Sequence, residues 1–149
     1  MTKFSYFLGS EQWQPETLLK HAQLAKKAGF DMVTISEHFH PWVDAHSASN
    51  FTWTTLGALA KDLKDMDLGT GVTTPLWRIH PGVIAQASAT VDRLTDSTFH
   101  LGVGTGENIN EGPLGYNFPK YDERANRMKE ALTIIRKFCH LCRLITLNF

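Results

Sequence analysis

The sequence predicts an α/β fold made of successive βα units, and three observations carry that expectation. Short runs rich in β-branched and aromatic residues begin near Phe4, Met32, Met66 and Thr98, at spacings of 28, 34 and 32 residues. After each comes a segment whose apolar residues recur every three to four positions, the period of a helix packed on one side. Polar and aromatic residues gather at the carboxyl ends of the runs, where an open α/β sheet or a βα-barrel places its chemistry. A closed (β/α)8 barrel takes eight units in about 250 residues. Four units are half of one, and a small open doubly wound sheet is the alternative that these residues leave open.

The elements follow in order. Phe4 to Leu8 is a first strand closed by Gly9-Ser10. Pro15 suits the first turn of a helix and Glu16 its positive dipole end. Leu18, Leu19, Ala22, Ala25 and Ala28 form the buried stripe of that helix, Lys20, Lys26 and Lys27 its wet side, and Gly29 its stop. Phe30 to Ser36 is the second strand. Residues 37–52 make a connection long enough to be functional or disordered, and its aromatics and Pro41 favour order. The second helix is expected over Trp53 to Lys64, capped by Thr52, with Leu56, Leu59, Ala60 and Leu63 inward. Met66 to Thr70 is a third strand running into Gly71-Val72-Thr73-Thr74-Pro75. Pro81 starts a third helix with Val83, Ile84, Ala87, Val91 and Leu94 as its stripe. Thr98 to Val103 is a fourth strand, 107–119 a second long loop, and Tyr121 to about Cys142 a fourth helix.

Composition excludes some functions. Fifteen basic and fifteen acidic residues cancel, so no charge excess points to nucleic acid or an anionic membrane. Neither a signal sequence nor a membrane span is evident. Cys139 and Cys142 read as incidental thiols of a reducing cytoplasm. Residues 1–138 are expected to form the barrel half. From 139 to 149 the chain turns apolar without a cap or turn, which suggests a truncated or altered reading frame, or a helix end followed by a fifth strand.

Two strand ends carry the chemistry. Thr34-Ile35-Ser36-Glu37-His38-Phe39-His40-Pro41-Trp42 passes abruptly from apolar residues to an acid, two histidines and an indole. Gly102-Val103-Gly104-Thr105-Gly106-Glu107 holds a GxGxG pattern, but no helix is expected directly after it, so a dinucleotide fingerprint is disfavoured. Glycines there suit the close approach of a flat ligand to the backbone. His38 with Glu37 and Glu107 supplies an imidazole and carboxylates for proton transfer at one barrel mouth. Trp42 suits stacking on a planar ring, whereas Trp13, Trp53 and Trp77 suit core or interface. His38, His40, His46 and Asp44 lack the spacing of a metal site, and no metal is expected.

Residues 36–42, 68–75, 81–87 and 101–111 together resemble the coenzyme F420-dependent oxidoreductases of the bacterial luciferase-like superfamily. The pattern is nearest that of the F420-dependent glucose-6-phosphate and secondary alcohol dehydrogenases, from about Phe4 to Phe138. The resemblance implies a luciferase-like TIM barrel of which about four βα units are present, usually dimeric, with the deazaflavin at the strand ends. It implies oxidation of an alcohol or sugar hydroxyl, with hydride passing to coenzyme F420. By position, His38 resembles the base, Glu107 its acid partner, and Trp42 and Glu11 residues that steady the reacting centre. Glu37, Gly71, Val72, Thr105, Gly106 and Asn110 resemble cofactor contacts, and Gly71-Val72 matches a non-prolyl cis peptide. Glu37 stands where that family usually has Asp, and Gly71 where the dehydrogenase has Ser. A flavin-dependent monooxygenase using FMN is the alternative enzyme, and an inactive half-barrel that self-associates is the non-enzyme alternative.

Overall fold

The alternation of burial along the strands defines the architecture. A computed structural model describes residues 2–142, with side chains through Cys139. Its sheet has four parallel strands in the order β1 (Ser5–Leu8), β2 (Met32–Ile35), β3 (Asp67–Thr70) and β4 (Phe99–His100). Leu8 lies opposite Ile35, Ile35 opposite Thr70, and Leu68 opposite Phe99. Leu8, Val33, Ile35, Leu68 and Phe99 are buried in one core with Leu18, Leu56, Leu59, Ile84 and Ile135 of the helices. Ser5, Phe7 and His100, on the alternate pleats, are exposed. Strict sequence order and helices on a single face are the arrangement of a barrel wall. A doubly wound sheet covers both faces, so that alternative is set aside.

Helices α1 (Pro15–Lys27), α2 (Thr52–Asp62), α3 (Pro81–Leu94) and α5 (Tyr121–Cys142) pack in turn, each against the next. A short α4 (Asn108–Glu111) and a 3-10 turn (Gly112–Leu114) lie between β4 and α5. This corrects the expectation of an irregular 107–119 loop, since Asn110 and Glu111 donate their N–H groups to the Glu107 carbonyl. Gly29 follows the C-cap of α1 at φ +89°, as expected of its stop, whereas Ala28, expected on the buried stripe, is that C-cap and is exposed.

Two local expectations fail for physical reasons. Thr52 does not cap α2: the cap position is Phe51, and the Thr52 hydroxyl instead donates to the Ser36 carbonyl at 2.7 Å, satisfying the backbone where β2 ends. On α3 the buried face is Ile84, Ala85, Ser88, Ala89 and Val91, turned away from the expected Val83 and Leu94, which stay exposed. Small residues at 85, 88 and 89 suit the close approach of α5, which α3 contacts. The atypical tail expected from residue 139 falls mainly on 143–149, outside the described residues, while α5 runs through position 138 without a break.

β4 is shorter than expected because β3 and the following glycines pair irregularly. Thr70 Oγ1 (2.8 Å) and Thr73 N–H (2.9 Å) both donate to the Gly102 carbonyl, and Gly104 N–H donates back to Thr73 at 2.9 Å. A Cβ on Gly102 would lie 2.2 Å from the Thr70 carbonyl oxygen, an overlap only backbone movement could relieve. Gly102→Ala is expected to lower stability by about 1–3 kcal/mol, read as a drop in denaturant midpoint at unchanged m-value.

On the open side of the sheet, Asp67 is buried and collects the Lys3 ammonium (2.6 Å), His100 Nε2 (3.2 Å), the Ser97 hydroxyl and the Thr98 N–H (3.2 Å). Burial pushes its carboxyl up, but these donors together outweigh burial and hold it well below the usual carboxylate range. The stability it contributes is therefore present above its unfolded pKa, about 3.9, and is lost as pH falls through the lower folded value. Asp67→Asn is expected to be less stable than the parent at pH 7, with the gap narrowing steadily in thermal melts taken below about pH 4.

Candidate active site

The ends of β2, β3 and β4 converge on one cavity of about 260 Å³ lined by Glu37, His38, Trp42, Gly71, Val72, Thr74, Gly104, Thr105, Gly106, Glu107 and Asn110. Nine of the ten candidate residues lie on this wall. Glu11 does not. It is buried at the end of β1, where it takes a hydrogen bond from Ser36, and it lines a neighbouring cavity of about 270 Å³ with Trp13, His21 and His46. Trp42 borders both spaces.

The loop after β2 is ordered by side-chain amides and a hydroxyl. Asn50 Nδ2 donates to the carbonyls of Ser10 (2.8 Å) and Trp13 (2.7 Å), and Ser49 Oγ reaches those of His38 and Phe39. Asn110, from α4, accepts the N–H groups of Phe39 (2.9 Å) and His40 (3.2 Å). His38 is thereby held at the rim, its Nδ1 3.0 Å from Trp42 Nε1, 3.1 Å from Asn110 Nδ2 and 3.8 Å from Glu107 Oε2. The Trp42 ring meets His38 edge to face at 5.0 Å and is half exposed, which removes it from the core. His40 turns away and hydrogen-bonds the Pro41 carbonyl at 2.7 Å. Among the described residues, no group of three or more His, Cys, Asp or Glu side chains is placed to hold a metal ion.

Opposite the histidine, the Gly71-Val72 peptide is cis, and Val72 is 46% exposed. Gly104 lies close beside it: a Cβ there would come within 2.7 Å of Val72 Cγ2 and would have to displace that side chain. Gly106 has φ +85° and sits over Thr74. The wall facing the cavity is thus an apolar side chain set among bare backbone. The N–H groups of Thr105, Gly106 and Glu107 meet no protein acceptor among the described residues, and all three residues line the cavity.

Behind this wall lies a cluster that sequence reasoning missed. Glu37 does not face a ligand as a free carboxylate: it accepts from the Arg78 guanidinium, the Thr73 hydroxyl and, at 3.2 Å, the Thr74 N–H. Arg78 also lies 3.8 Å from Glu111, a fully buried carboxyl whose two oxygens have no hydrogen-bond partner. Burial pushes the Glu111 carboxyl up; Arg78 opposes that and Glu37 adds to it. Arg78 carried no signal in the sequence and Glu111 only its place at the end of the 101–111 stretch, because an Arg before one helix and a Glu in an apparent loop look like surface residues.

The luciferase-like monooxygenase family model matches residues 2–140. An F420-dependent glucose-6-phosphate dehydrogenase of Beutenbergia cavernae is 43% identical over 138 residues, covering 91% of this chain and 40% of that protein. An F420-dependent hydroxymycolic acid dehydrogenase of Mycobacterium tuberculosis is 41% identical over 130 residues, 87% of this chain and 36% of that protein. Among solved structures, an F420-dependent secondary alcohol dehydrogenase in complex with an F420-acetone adduct superposes with TM-score 0.87 at 33% identity, covering 91% of this chain and 41% of that one. A coenzyme F420-dependent tetrahydromethanopterin reductase from Methanopyrus kandleri, at 21% identity and TM-score 0.75, shares the fold. The chain spans about two-fifths of the length of these relatives. Matched along nearly all of its residues and built as four consecutive units of a parallel barrel wall, the chain belongs to the luciferase-like monooxygenase family.

Proposed function

We propose that this chain supplies the strand-end site of an F420-dependent oxidoreductase acting on the hydroxyl of a small alcohol or sugar. The observation that carries the proposal is the pairing, across one cavity, of His38, Trp42, Glu107 and Asn110 with a wall of bare backbone around Val72. A planar heterocycle with an electron-rich edge fits the unpartnered N–H groups of Thr105, Gly106 and Glu107. When bound, coenzyme F420 supplies the hydride acceptor. Gly71 and Val72 would support its ring, and Thr105, Gly106 and Asn110 its polar edge. Glu37 serves from behind, pinned by Arg78. His38 and Glu107, on the same rim, would face the hydroxyl, and Trp42 would close over it. Glu11 would contact the part of a substrate that extends toward β1.

The two relatives named for F420, at 43% and 41% identity, favour this cofactor over FMN, although the family's own description is of monooxygenases. The proposal includes a second copy of the chain as partner and the cytoplasm as setting. Among the described residues, no helix is long and apolar enough to cross a membrane.

Titrating the purified chain with F420 and with FMN tests the assignment. Saturable F420 binding with alcohol-dependent bleaching of the oxidised deazaflavin is expected; binding of FMN alone would mean the monooxygenase, and binding of neither the inert fragment. Trp42→Ala is expected to lower alcohol-dependent turnover about tenfold or more, equivalent to about 1.4 kcal/mol, with F420 affinity and solubility retained. A loss of solubility would return the indole to a structural role.

A further inference from the structure

The fold allows Asn110 one orientation of its amide. Oδ1 accepts two backbone N–H groups, from Phe39 at 2.9 Å and His40 at 3.2 Å. Turning the amide over would press an NH2 group against both donors. Nδ2 is therefore committed to the opposite side, 3.1 Å from His38 Nδ1 and 3.5 Å from Glu107 Oε2. An amide nitrogen has two hydrogens to give and no acceptor capacity, and these two atoms are its targets.

His38 Nδ1 also receives a second donor. Trp42 Nε1 lies 3.0 Å away, and an indole N–H can only donate. A proton on Nδ1 would meet N–H groups from two sides. A neutral imidazole satisfies both donors when its Nδ1 lone pair is free and its hydrogen is on Nε2. That atom has no partner among the described residues and is not sealed from the cavity that His38 lines.

We infer that Asn110, with Trp42, is a positioning residue that holds His38 in the Nε2–H tautomer, so that the ring meets the substrate oxygen as a hydrogen-bond donor. This rests on the proposed function for the identity of that oxygen, but not for the tautomer itself. It revises the role of base that the family resemblance implies, because a ring carrying its hydrogen on Nε2 cannot take up a proton at that atom. Of the two carboxylates on the cavity wall, Glu37 is bound to Arg78. Glu107 is more than half exposed and lies 3.8 Å from His38 Nδ1, which carries no hydrogen in this tautomer and leaves the carboxylate free to accept. In the oxidation, the hydroxyl O–H would break with its proton passing to the Glu107 carboxylate, while Nε2–H donates to the oxygen throughout. Bound coenzyme F420 would supply the acceptor for the hydride, the electron pair of the breaking carbinol C–H bond, as the C=O bond of the oxidised substrate forms.

The experiment is a long-range 1H–15N spectrum of the cofactor-free chain labelled at histidine nitrogen, taken near pH 8. The His38 signals are assigned by comparison with His38→Gln. Expected is the Nε2–H pattern in the parent and in Trp42→Phe, where Asn110 alone suffices. Asn110→Asp keeps the oxygen that accepts from Phe39 and His40 and replaces the NH2 with an acceptor, so the ring is expected to change to the Nδ1–H form. A parent spectrum showing Nδ1–H overturns the inference and needs no variant to fold. So does an Asn110→Asp protein with a native-like amide spectrum and an unchanged Nε2–H pattern. Because no cofactor is present, failure to bind F420 would overturn the proposed function and leave this result intact.

Discussion

The buried Glu37–Arg78 ion pair is the constraint on which the site depends. A carboxylate removed from water must be paired or it costs several kcal/mol, and Glu37 is 5% exposed. Its partners come from separate places: Thr73 and Thr74 just beyond the cis Gly71-Val72 peptide, and Arg78 from the segment that leads into α3. Arg78 then reaches toward Glu111 of α4. One charge thus ties the end of β2 to the turn after β3 and to the helix after β4. The strands alone could not set these loops, since β4 has only two residues.

The pair also explains why the cavity wall is bare. Glu37 lines the cavity but its carboxylate is already engaged by Arg78, Thr73 and Thr74, so the part of the wall left without polar side chains is backbone and Val72. The Glu111 carboxyl oxygens have no hydrogen-bond partner among the described residues and are offset by Arg78 at 3.8 Å. Burial pushes that carboxyl up, and its Oε1 lies 3.4 Å from the position a Cβ on Gly106 would take, directly behind the bare segment.

Much of the wall was legible in the sequence because it rests on periodicity. The spacing of strand starts, the alanine-rich stripe of α1 and Gly29 at its end report burial and backbone freedom, which single residues encode. What was not legible depends on partners brought from afar. Thr52 looks like a cap until the Ser36 carbonyl is known to lie beside it. The α3 stripe is ambiguous by one residue until α5 is in place, since Ala85, Ser88 and Ala89 are as apolar as close packing needs. Asn110 was legible as a site residue but not in its reach to His38, because the four-residue helix that aims it was hidden in a polar loop. Glu11 was expected at the reacting centre, and the fold sets it one cavity away.

Trp42 belongs to the lining of both cavities while its indole nitrogen is bonded to His38. The two spaces are therefore mechanically linked through one side chain. A group wedged beside Glu11 that displaces the indole would take a donor from the imidazole without touching it. What occupies the second cavity would then alter one of the two donors to the imidazole, while the Asn110 donor stays in place.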